Sequence, residues 1–178
     1  PLALLRQIPG ALRPGWGATA VLDGGRLAAV EPGDTAARLY GAAFDIGTTT
    51  LVGYLHNLTT GEELAVTSGL NPQVAYGADV ISRVEHVINN EDGLRTLQGE
   101  ICGRLNRMTG ELAAEAGVAR QDIYEVSVAG NSVMQHLFLG VDPRNIAFAP
   151  YVPAVQGGLW LPATAVRLEI NSAGRVHV

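Results

Sequence analysis

Asp45, Gly47, Thr48, Thr49 and Thr50 fall close together in the run Ala42-Ala43-Phe44-Asp45-Ile46-Gly47-Thr48-Thr49-Thr50, and Leu51-Val52-Gly53-Tyr54-Leu55 follows at once. An apolar strand ends in an acid, a glycine and hydroxyls, and a second apolar strand begins. Asp45 can hold a hydrated Mg²⁺. Gly47 permits a tight turn whose successive N–H groups face an anion. The hydroxyls of Thr48, Thr49 and Thr50 add donors or a metal contact. Phosphoryl chemistry calls for this positioning and charge neutralisation more than for covalent help. The order is strand–turn–strand, unlike the Walker loop, in which a Lys follows the glycines and a helix follows the turn. A plain hairpin turn uses the same residue types, so the run alone leaves both readings open.

The elements that must position this turn are legible from periodicity. Strands are expected at 42–46, 51–57 and 63–67, the third after the turn Thr59-Thr60-Gly61. Ser68-Gly69-Leu70-Asn71-Pro72-Gln73 breaks the pattern. A helix is expected from about Ala78, with Asp79 in its first turn and Val80, Ile81, Val84, Val87 and Ile88 on its apolar side. A longer helix carries Leu94, Leu97, Ile101, Leu105, Met108 and Leu112 at spacings of three or four and ends at Gly117. That stripe is read as buried core. Residues 123–129 alternate as a strand and run into Gly130-Asn131-Ser132 and a helix to Leu139. Asn131 is a good N-cap, and a strand leading into a helix N-terminus makes a second anion-facing end. Pro150, Pro153 and Pro162 punctuate the remainder, and residues 165–170 with 175–178 read as a closing hairpin. Before the central part, residues 1–40 read as a linker or arm carrying a hairpin around Asp23-Gly24-Gly25.

Composition sets the bounds. The 178 residues are 47% hydrophobic and 16% charged, a globular balance with room for one domain and a piece of another. A net charge of -5 argues against a nucleic-acid partner. No apolar run reaches the roughly 18 residues of a membrane span, and no secretory signal opens the chain, so a cytoplasmic protein is expected. Without an initiator Met, the chain is expected to begin inside a longer gene product. Cys102 is the single cysteine, which leaves no set for an iron–sulfur cluster or a zinc ribbon and reads as a structural thiol in a helix. Asp79 and Arg83, four apart, are expected to pair on a helix surface. His136 reads as a satisfied buried histidine, and His56, His86 and His177 lack metal-ligand spacing.

The Asp-Ile-Gly-Thr-Thr-Thr turn between antiparallel strands resembles the first, ribonuclease-H-like lobe of the actin, hexokinase and heat-shock-protein-70 ATPase superfamily, an α/β fold with a mixed sheet and flanking helices. Three further segments narrow this: Asn71-Pro72-Gln73 with Tyr76-Gly77-Ala78-Asp79-Val80-Ile81-Ser82-Arg83, Ala129 to Leu137, and Ala149-Pro150-Tyr151-Val152-Pro153. With them, the chain from about Leu12 onward is similar to the ATP-dependent reductive activators of corrinoid proteins.

The resemblance implies a 2Fe–2S domain, a linker, a small middle domain and a two-lobed ATPase. Such proteins reduce cob(II)alamin to cob(I)alamin on a corrinoid partner of a methyltransferase system. ATP and Mg²⁺ are the implied cofactors, and the cluster belongs to an N-terminal domain absent from this chain. Residues 41–150 would be the first ATPase lobe, and 151–178 would lead towards a second lobe. Asp45 would act in catalysis and hold the metal. Gly47, Thr48, Thr49 and Thr50 would contact phosphates, although alternation can turn Thr50 into the core. Asn71 and Gln73 flank a proline turn that would approach the cleft, with Gln73 orienting water or serving only as a turn residue. Gly130 and Asn131 would close the far side of the pocket. One lobe by itself should hydrolyse ATP very slowly or not at all. A small-molecule kinase of the same superfamily and a non-catalytic interaction module stay open, as does a homodimer through the apolar helices.

Overall fold

The computed structural model describes residues 2–178. The chain begins with helix α1 (Leu2–Leu12) and a hairpin of β1 (Ala18–Asp23) and β2 (Arg26–Pro32). The hairpin stands where the sequence puts it, with Asp23 paired to Arg26 across the turn. Helix α1 is absent from the sequence reading, because Pro9 and Gly10 read as breakers. The helix forms with Pro9 inside it and lies against β2, where the Gln7 side chain accepts a hydrogen bond from Val30 N. Packing here overrides propensity.

A meander of β3 (Tyr40–Ile46), β4 (Thr50–Asn57) and β5 (Glu63–Leu70) follows. β5 runs past Thr67, because Ser68, Gly69 and Leu70 pair with Val52, Leu51 and Thr50 and satisfy the backbone of β4 to its first residue. A 3₁₀ turn (Pro72–Tyr76) leads to α2 (Val80–Asn89) and α3 (Gly93–Ala116), then β6 (Ile123–Gly130), α4 (Ser132–Leu139), the single turn α5 (Arg144–Ala147), β7 (Trp160–Pro162) and β8 (Arg175–His177). The larger sheet has the order β5-β4-β3-β6-β8-β7. β6 lies parallel to β3, and β8 parallel to β6, while the remaining pairs are antiparallel.

The apolar stripe of α3 packs onto this sheet. Leu97, Ile101, Leu105, Met108 and Leu112 are buried among Phe44, Ile46, Leu51, Leu55, Val126 and Val128, with Leu137 and Phe138 of α4 completing the layer. Each such side chain contributes about 1.5–3 kcal/mol by leaving water. Alternation sends Asp45, Glu125, Ser127 and Ala129 to the opposite face, where they are exposed. Cys102 is buried in α3, and burial pushes its thiol up to about 11, in keeping with a structural role.

The expected closing hairpin does not form. Ala163–Val166 winds into a 3₁₀ turn that ends at Arg167 in the left-handed region (φ 58), and β8 takes β7 as its antiparallel neighbour. Asn171 fixes this geometry. Its N–H donates to the Ile123 carbonyl and its side-chain amide to that of Gln121, which anchors the chain at the start of β6, and β8 then runs parallel to β6. No helix among the described residues is long and apolar enough to cross a membrane.

Candidate functional site: an anion-facing turn at the ends of β3 and β6

Ile46 of β3 stands opposite Gly130 of β6 in a parallel pair, so the residues after each strand emerge at one edge. In open sheets, ligands gather outside the carboxyl ends of parallel strands. The two strands approach closely there: a Cβ at position 130 would lie 3.0 Å from the Ile46 carbonyl oxygen. Gly47 closes the turn by donating its N–H to the Thr50 carbonyl at 3.0 Å, and a Cβ on it would stand 2.5 Å from that oxygen. No other residue type fits without moving the turn.

The carbonyls of the turn all point into the protein. Gly47 O accepts from Asn71 Nδ2 at 2.9 Å, Thr48 O from Arg83 Nη2, and Thr49 O from Asn71 N at 2.8 Å. In a planar trans peptide the following N–H points away from the carbonyl. The N–H groups of Thr48 and Thr49 therefore face outward, and among the described residues neither has a hydrogen-bond partner. Thr49 and Thr50 are exposed and Thr48 is half-buried, so Thr50 does not turn into the core; Leu51 does. Asp45 is exposed on the open face just before the turn, and its carboxylate carries no intramolecular hydrogen bond or ion pair among the described residues.

Asn131 caps α4 as expected: Oδ1 accepts from Val133 N at 3.1 Å and Met134 N at 3.0 Å. Its oxygen is thus engaged by the helix, and the start of α4 faces the same edge as the Gly47 turn. Ser132 and Gln135 of α4, with Tyr151, Pro153, Val155 and Gly158, line a cavity of about 660 Å³ beside this edge. His136 fastens the loop that forms the cavity's outer wall. The ring is fully buried, Nδ1 lies 2.7 Å from the Ser132 carbonyl, and Nε2 faces Ala154 N at 3.0 Å and Val155 N at 3.3 Å. Two N–H donors at Nε2 require the neutral ring with its hydrogen on Nδ1. A smaller cavity of about 300 Å³, lined by Val21, Leu22, Tyr124, Trp160 and Arg175, lies between the arm and the sheet, away from the ends of β3 and β6.

Two expectations are corrected. Gln73 does not face the cleft: it is buried, Nε2 donates to the Leu97 carbonyl at 2.9 Å, and Oε1 accepts from Arg83 Nη1 at 3.3 Å. Both ends of its amide are engaged inside the protein, so it supports the turn from beneath. Asp79 and Arg83 do not pair. Asp79 is the N-cap of α2, its Oδ1 accepting from Ile81 N and Ser82 N at 2.9 Å each, and Ser82 Oγ accepts from Asp79 N in return. The Ser82 amide is the chief cause that holds this carboxyl below its usual range. Arg83 turns inward and has no accessible surface. The sequence signal for this was its position between Val80, Val84 and Val87, on the buried side of α2. Among the described residues no cluster of His, Cys, Asp or Glu could hold a metal by itself.

The profile of the RACo middle region matches residues 40–178. The chain belongs to the RACo middle region family. The match begins where β3 begins and takes in the whole six-stranded sheet, while the arm with α1 and the first hairpin precedes it. Over 157 residues the chain is 34% identical to the corrinoid activation enzyme RamQ of Eubacterium limosum, covering 88% of this chain and 26% of that enzyme. The solved structure of a reductive activator for corrinoid, iron-sulfur protein superposes with a TM-score of 0.87 at 37% identity, covering 98% of this chain and 28% of that one. The chain thus spans about a quarter of the length of these relatives. Its RACo middle region has the mixed α/β architecture expected, with a mixed sheet and helices packed on it.

Proposed function

We propose that this chain forms one wall of a Mg·ATP cleft in a reductive activator of corrinoid proteins, with a ribonuclease-H-like lobe as its fold. The observation that carries this reading is the inward anchoring of the Gly47, Thr48 and Thr49 carbonyls, which leaves two N–H donors facing out beside an unpaired carboxylate. An anion is the complement of outward amides, and a carboxylate next to an anion needs a bridging cation. Residues of this chain therefore fit a phosphate tail with its magnesium.

Asp45 would hold the hydrated metal. The N–H groups of Thr48 and Thr49 would take phosphate oxygens, and the exposed Thr49 and Thr50 hydroxyls would add donors. Gly130 admits the close approach of the two strand ends, and the N-terminus of α4 behind Asn131 favours negative charge. ATP supplies the free energy of phosphoryl transfer to water. A second wall is needed to clamp the phosphates, so this chain positions and does not complete the site. Closure of two walls over nucleotide would change the surface offered to a partner.

The similarity to a corrinoid activation enzyme and to a reductive activator supports a corrinoid protein as that partner. The reaction would pass one electron from an iron–sulfur donor to Co(II) of the corrinoid, giving Co(I). Residues of this chain do not fit the cluster: Cys102 is its one cysteine and is buried with a raised thiol pKa. Mixing the full-length polypeptide with a Co(II) corrinoid protein and a low-potential reductant tests the reading. The Co(I) absorption band should grow only with Mg·ATP, and Asp45→Asn should slow it by about tenfold or more. Growth at the same rate without nucleotide would overturn it.

A further inference from the structure

We propose that Arg83 is a positioning residue for the phosphate turn and supplies the cation for which the bound anion is the missing counter-charge. This rests on the phosphate reading of the turn. Arg83 is fully buried, and each of its partners is neutral. Nε donates to the Gly77 carbonyl at 3.0 Å, Nη1 to Gln73 Oε1 at 3.3 Å and Met134 Sδ at 3.1 Å, and Nη2 to the Thr48 carbonyl. No carboxylate of the described residues lies within ion-pair distance. The acid that acts on it, Asp79, has its carboxylate on the N-terminus of α2, where the Ile81 and Ser82 amides hold it.

A buried guanidinium without an ion pair is costly, and an apolar side chain on this face of α2 would cost less. Guanidinium stays charged at any ordinary pH, so the cost cannot be avoided by losing a proton. The arrangement becomes economical when a polyphosphate sits on the other side of the Thr48 peptide. The guanidinium then pulls on the carbonyl, polarises the peptide, and aims the Thr49 N–H at the anion. Its full charge also acts across a short path of low dielectric. Asn71 and Gln73 complete the support: one holds the flanking carbonyls, the other holds the guanidinium. The residues that touch the anion lie in the turn, and Arg83 acts through them.

The test is calorimetric titration of the full-length polypeptide with Mg·ATP and, separately, with inorganic tripolyphosphate. Arg83→Met should weaken both by about tenfold or more, and Arg83→Lys should recover part of the loss. Because Arg83→Met risks the fold, Met134 gives a second route. Met134→Glu places a carboxylate beside the guanidinium in a side chain of similar length, while Met134→Gln changes polarity alone. The glutamate variant should bind tripolyphosphate about tenfold more weakly than the glutamine variant at equal melting temperature. Equal affinity of these two variants, with binding by the native protein intact, would overturn the role of Arg83 alone. Failure of the native protein to bind either anion would overturn the phosphate reading and this inference with it.

Discussion

Asn71 Nδ2 donates to the Gly47 carbonyl at 2.9 Å from a fully enclosed position, and this bond sets the direction of the first peptide in the turn. The same residue's N–H takes the Thr49 carbonyl, so one asparagine holds both ends of the anion-facing segment. Asn71→Asp would turn a donor into an acceptor facing an acceptor. The expected outcome is a loss of about 1–3 kcal/mol in urea unfolding and weaker Mg·ATP binding, and Asn71→Ala, which also strips the Gln73 N–H of its acceptor, should weaken binding too. A variant that binds as tightly as the native protein would show that the carbonyl needs no tether.

Gly47 is constrained more by space than by dihedral angle. A methyl group there meets the Thr50 carbonyl oxygen at 2.5 Å. Gly47→Ala should leave the far-ultraviolet circular dichroism unchanged and reduce nucleotide affinity by about tenfold or more, because the shift falls on the turn and not on the core.

His136 is expected to act as a clasp. Replacing it with Ala leaves the Ala154 and Val155 amides without an acceptor, at a cost of about 1–3 kcal/mol. Hydrogen exchange read by mass spectrometry should speed up in residues 148–158 and stay slow in β3 and β6. Uniform acceleration across the sheet would mean that His136 supports the whole core instead.

Cys102 gives a pH prediction with a definite sign. Burial raises its thiol from the ordinary 9.0 to about 11, so the folded state holds the proton more tightly than the unfolded chain. That contribution is fully present below about pH 9 and is lost as the pH rises towards 11. Denaturant midpoints should therefore fall over this window, and Cys102→Ala should flatten the fall. Iodoacetamide at pH 8 should label the native protein only as fast as it opens.

The parts of this molecule that were legible in the sequence are those in which local pattern and tertiary packing agree. The 3–4 spacing from Leu94 to Leu112 reads as a buried helix face, the apolar runs on either side of the Gly47 turn read as strands, and the alternation through β6 marks a strand with one covered side. The Gly47 turn was legible because its residue types have chemical meaning in that order. Helix α1 was hidden by Pro9 and Gly10, which its packing against β2 overrides. β7 was hidden by its brevity, and its partner β8 lies beyond the 3₁₀ turn of Ala163–Val166. Gln73 and Arg83 were misread for one shared reason. Polar side chains near a turn or at a helical spacing of four suggest solvent or a surface pair. Only the three-dimensional meeting of Thr48, Gln73, Gly77 and Met134 reveals a buried site for a guanidinium. The position of Arg83 beside Val80, Val84 and Val87 was the one local hint.

The most direct measurement is equilibrium binding of Mg·ATP to the full-length polypeptide, native and with Asp45→Asn and Thr48→Ala combined, alongside a melting curve for each. The account predicts saturable binding by the native protein and a loss of about a hundredfold in the double variant at similar stability. Undiminished affinity in that variant would contradict the claim that the turn after β3 grips a triphosphate and its magnesium.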